Sequence, residues 1–160
     1  MILWNKEKTK HGIFFPFYSI LMLLFYLGYL LLENYRLNNS THWLSKNNLT
    51  EANVESIIQL GTWTSNFEFA FLSLFTITMC ISIFSYRKRK NRENIKRYLV
   101  INIILFIAIT IISFVLLPFT QLPIGNLIQP IVIPTYLLGG LLIYMLWVSK
   151  KHRLVEKEKN

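Results

Sequence analysis

One carboxylate interrupts the apolar runs of this chain. Glu68, in Asn66-Phe67-Glu68-Phe69, is the single ionisable side chain inside an apolar segment. A charge is expensive there, so a carboxylate within a membrane span is a functional candidate by default. It follows Trp63 by only about five residues, roughly 7–8 Å of helical rise, so water, headgroups or Ser65 offer it ordinary partners. Thr62, Ser65 and Asn66 open the same span. A threonine hydroxyl is a poor nucleophile without a base nearby. Glu68 is a weak base at neutral pH unless it is desolvated.

Other polar residues fall on stripes within apolar runs. Ser73, Thr76 and Cys80 share one helical face, as do Asn102, Thr110 and Ser113. Such stripes could line a pathway, but small and hydroxylated residues more commonly mark helix–helix contacts. The same reading applies to Gly139-Gly140, where a neighbouring backbone could approach. His11, His42 and His152 read as solvated, and His42 alone could face Glu68. Such a pair would titrate near physiological pH. With one cysteine, Cys80, there is no internal disulfide, and the Cys and His positions lack metal-ligand spacing. No metal or cofactor is expected. The Asn-Xaa-Ser/Thr matches in 38–41 and 48–50 are ascribed to the abundance of asparagine.

The elements that would position these residues are apolar helices. Hydrophobic residues make up 53 % of the 160 and charged residues 16 %, with a net charge of +9. An average soluble domain has roughly 25 % charged residues. The expected fold class is all-α, a single polytopic integral membrane domain with four transmembrane helices at about 13–32, 62–86, 98–117 and 131–148. Twenty uncharged residues span about 30 Å as a helix, enough for the hydrocarbon core. Pro16 falls in the first turn of the first span, where a missing N–H costs little. That run is too long for a signal-peptide core and lacks a small-residue cleavage site, so it reads as a retained helix.

Between the first two spans, 33–61 reads as an outer polar loop. A short amphipathic helix starts near Thr50-Glu51, repeats Val54, Ile57 and Ile58, and is closed by Gly61. Residues 118–130 carry no charge and several helix breakers, and read as either a short outer turn or a segment dipping into the bilayer.

The run at 87–97 holds seven of the seventeen Lys and Arg residues, among them Arg87, Lys88, Arg89 and Lys90. The first polar segment, this run and the tail carry +2, +6 and +3, against −1 and 0 for the two opposite loops. Only four spans with both termini inside put every basic segment on the cytoplasmic face. The run is then a topology determinant that also attracts anionic inner-leaflet lipid, at about 1 kcal/mol per basic residue. It lacks the aromatic interleaving or folded module that nucleic-acid binding needs, so no nucleic acid is expected as a partner.

Thr62-Trp63-Thr64-Ser65-Asn66 resembles the motif of the androgen-dependent, fatty-acid-ester-hydrolysing membrane proteins, a Thr, two variable residues and Ser-Asn opening a span. The stretch Asn126-Leu127-Ile128-Gln129-Pro130, running on to Pro134, is loosely similar to that family's later segment. The resemblance implies Thr62 as nucleophile and Pro134 as the closing proline. It places the partner histidine at Pro130, which cannot act as a base. In size and topology the chain also resembles bacteriocin self-immunity membrane proteins.

The preferred reading is therefore a non-enzymatic protein of the bacterial cytoplasmic membrane. It would bind a partner protein, peptide or lipid, or a second copy of itself, as an immunity or accessory subunit does. The binding residues would be Glu68, Ser65 and Asn66 outside and Arg87–Lys90 inside. The alternatives are a lipid or ester hydrolase using Thr62 and Glu68, and a transporter or channel subunit.

Overall fold

The protein is all-α in a computed structural model that describes residues 3–45, 50–89 and 92–157. Side chains are described within 14–45, 50–86 and 93–148. Four helices follow in order: α1 (Leu3–Ser45), α2 (Glu51–Arg89), α3 (Arg92–Leu116) and α4 (Ile124–Lys157). A single 3-10 turn, Leu117–Phe119, closes α3 at Pro118. All four helices are long and apolar enough to cross a membrane. Leu31, Phe69, Ile143 and Leu146 are each at least 70 % exposed, an apolar surface that a water-soluble monomer would not tolerate. This is a multi-pass membrane protein.

The helices reach well past the apolar runs. The polar stretch 33–45 continues α1 and is not a loop, and the helix expected from Thr50-Glu51 is the opening of α2, running on into the span. Nothing between Leu32 and Ser45 breaks a helix. Ser40 and Thr41 return their hydroxyls to Leu37 O, and Ser45 to His42 O, so these side chains satisfy themselves within the helix. Thr50 does start α2, its hydroxyl accepting from Asn53 N at 3.3 Å. Gly61 lies inside α2 and does not end it. At 43 residues α1 is about 65 Å long, roughly twice the hydrocarbon thickness.

The fourth helix starts earlier than its apolar run. It begins at Ile124, with Asn126 N and Leu127 N bonded to Pro123 O, and holds Pro130 and Pro134 in its interior. Of the two readings of 118–130, the chain takes a short turn at 117–123, anchored by buried Leu122. The last turns of α1 and this turn share one end of the bundle, where Thr41 and Gln121 approach to 3.5 Å. We call it the hairpin end.

The core is aromatic and runs along one face of α1. Phe15, Tyr18, Met22, Tyr26, Tyr29 and Glu33 are all buried, at spacings of three and four residues. Tyr18 meets Tyr98 of α3 at 6.3 Å between ring centroids, and Phe75 of α2 meets Tyr98 and Phe106 at 5.9 and 5.7 Å. Lipid is as apolar as these side chains, so shape and hydrogen bonds hold such helices together. Shape acts at Gly28, where an added Cβ would overlap the Phe67 ring, with Cδ1 at 2.7 Å. Gly139 and Gly140 do not mediate close packing, since a Cβ at either would meet nothing within 4 Å.

Candidate functional site

Polar side chains converge on one turn of α4 at the hairpin end. Pro130 has no N–H, so the Asn126 carbonyl loses its helical donor. The Tyr29 hydroxyl of α1 donates to that carbonyl at 2.9 Å. A phenol has one proton to give, so the 3.5 Å approach of Tyr29 to Gln129 Oε1 is secondary. One turn away, Tyr26 lies 2.7 Å from the Ser113 hydroxyl and 3.3 Å from Leu127 O. Further along α1, Tyr18 donates to Asn102 Oδ1 at 2.7 Å, while Tyr98 donates to Phe75 O at 3.1 Å.

The charged part of the cluster contains two carboxylates. Glu33 is 3 % exposed. Arg36, one turn on, grips it with Nε at 2.8 Å and Nη2 at 2.6 Å. The Asn126 amide donates a third bond to Glu33 Oε1, at 2.9 Å. The pair is neutral as a unit, and two-point Arg geometry with a further donor is what a buried carboxylate requires. Glu68, half-buried on α2, accepts from Gln129 Nε2 of α4 at 3.2 and 3.0 Å. Among the described residues no cation pairs with it. Three helices therefore meet through Tyr29, Glu33, Arg36, Glu68, Asn126 and Gln129, with one negative charge left over.

The residues singled out from sequence divide between this cluster and the outside of the bundle. Glu68 belongs to the cluster. Thr62, Ser65 and Asn66 are exposed on α2, and the Thr62 hydroxyl donates to Ile58 O at 3.0 Å. Thr62 and Glu68 are six positions apart, which sets them about 120° apart around the helix. Thr62 thus does not share a helical face with Glu68. Pro134 is buried inside α4, where it continues a helix. His42 is exposed in the last turn of α1 and is not bonded to Glu68. The side chains of Arg87, Lys88, Arg89 and Lys90 lie outside the described residues, as do those of His11 and His152.

The hydroxylated stripes split in the same way. Asn102 and Ser113 are buried packing residues that bond to α1, whereas Cys80 is exposed. Glu33, Arg36, Asn126 and Gln129 were not readable as a site while 33–45 looked like a loop. One signal was present, because Tyr18, Tyr26, Tyr29 and Glu33 already share one helical face. No three His, Cys, Asp or Glu side chains gather as a metal site among the described residues. Comparison of the chain with family models, curated proteins and solved structures finds no match in any of the three.

Proposed function

We propose that the chain is a non-enzymatic subunit of the bacterial cytoplasmic membrane that binds a partner within the bilayer, in the manner of an immunity or accessory protein. Both termini face the cytoplasm in this reading, because the basic segments, +2, +6 and +3, then all lie on the inner face. The hairpin end is outer. Arg87–Lys90, with exposed Lys96 and Arg97, holds anionic inner-leaflet lipid.

The observation that carries the binding function is Glu68. It is a carboxylate inside a span, half-buried and bonded to a neutral amide rather than to a cation. An ionisable side chain inside a membrane is a functional candidate by default, and one without an internal counter-charge has its charge available to a partner. The hydrolase resemblance has less support, since the Thr62 hydroxyl faces outward and is given to its own helix.

Affinity capture of the tagged chain from its native membrane in mild detergent tests the proposal. The partner is retained by the wild type and by Thr62→Ala and is lost from Glu68→Gln. A chain that elutes alone as a monomer, or that loses its partner on Thr62→Ala only, would overturn it.

A further inference from the structure

We propose that the seam between α2 and α4 receives a transmembrane helix of a different protein, one that carries a lysine or arginine in the third of its span nearest the hairpin end. Glu68 is its counter-charge. The inference rests on the binding function proposed above and supplies the chemistry of the partner.

Two separate features meet on this seam. The first is charge. Arg36 neutralises Glu33, while Glu68 has only the Gln129 amide, so the seam carries an unbalanced negative charge at its hairpin end. Charged groups inside a membrane pair with opposite charges where they can. The second is space. Met79 and Ile83 stand eleven and fifteen residues after Glu68, on the same face of α2. With Leu137, Leu141 and Tyr144 of α4 they border an open groove of about 320 Å³. From Glu68 to Ile83 the rise is about 22 Å, most of the hydrocarbon thickness. The occupant must therefore be long, apolar and cationic near one end. Beside the groove, Gly140 is exposed and has no atom within 4 Å of an added Cβ, which leaves room for a neighbouring backbone. Among the described residues a second copy of this chain offers no free cation for the seam. On the hairpin half of the described residues the only basic side chain of Lys or Arg type is Arg36, already held by Glu33.

The test uses the full chain in phosphatidylcholine vesicles with a synthetic single-span oligoleucine helix. One probe bears a lysine a quarter of the way into its span, and a control bears leucine there. Energy transfer between labelled chain and probe reports association. The lysine probe should bind about tenfold tighter than the control or better. Glu68→Gln should abolish that preference, and Glu68→Lys should transfer it to a probe bearing glutamate. Leu141→Trp, which fills the groove, should weaken both probes. Equal binding of the two probes, a preference that survives Glu68→Gln, or indifference to Leu141→Trp would overturn the proposal. So would loss of the preference when phosphatidylethanolamine replaces half of the lipid, because a lipid amine would then be the occupant. A Glu68→Gln chain that still captures its native partner overturns this inference and the role given to Glu68, and leaves only the binding of a partner standing. A wild-type chain that captures nothing overturns the binding function itself.

Discussion

Arg36 and Glu33 form an ion pair whose value depends on both members being present. Glu33 is almost wholly buried, so Arg36→Ala leaves a carboxylate held only by the Asn126 amide. Removing one member of a buried pair is strongly destabilising. We expect Arg36→Ala to cost about 3 kcal/mol, toward the low end of that effect because the guanidinium is partly exposed. Denaturation in detergent, followed by circular dichroism, measures it. Glu33→Gln with Arg36→Met should restore much of the loss. Tyr29 poses a milder version of the same problem. Tyr29→Phe deprives the Asn126 carbonyl of its donor beside Pro130, at an expected cost of about 1–3 kcal/mol in the same assay. A cost no larger than that of an exposed Tyr→Phe change, such as Tyr136→Phe, would show that the carbonyl finds another donor.

Packing of α1 against α2 turns on one contact at the scale of elements. An Ala at position 28 would press its methyl into the Phe67 ring. Overpacking of this kind costs about 1–3 kcal/mol. Gly28→Ala should therefore lower the unfolding midpoint, and Phe67→Leu in the same chain should recover part of it. Gly140→Ala, with open space around it, should change little. The number of spans was legible in the sequence because it depends on the length of apolar runs. Helix ends were less legible. At Leu32 the composition turns polar, but that change marks a change of solvent, and Glu33–Ser45 contains no residue that stops a helix. Likewise Pro130 and Pro134 look like breakers, yet α4 runs through both, with Tyr29 supplying the donor that Pro130 lacks. The cluster stayed hidden for the same reason. Asn126 and Gln129 reach Glu33 and Glu68 only once α4 begins at Ile124. Glu68 was visible because a lone charge in an apolar run is conspicuous without any knowledge of its neighbours.

For the whole molecule, charge distribution and the polar cluster make separate demands. In the proposed orientation the basic run is the topological signal, so replacing Arg87, Lys88, Arg89 and Lys90 with Gln should yield a fraction of inverted chains. Labelling of single cysteines, introduced at Ser45 and Lys96 after Cys80→Ser, with an impermeant thiol reagent on intact cells counts that fraction. Retention of a single orientation would shift the topological signal to the termini. The proposed binding, by contrast, rests on Glu68 and the α2–α4 seam. The most direct measurement places a photo-crosslinking amino acid at Tyr136, exposed on α4 beyond Gln129, and in a second chain at Ile104, exposed on α3. Illumination of native membranes should give a discrete adduct from position 136 that disappears with Glu68→Gln, and none from position 104. Adducts from position 104 alone, or an adduct at 136 that is indifferent to Glu68, would contradict the account.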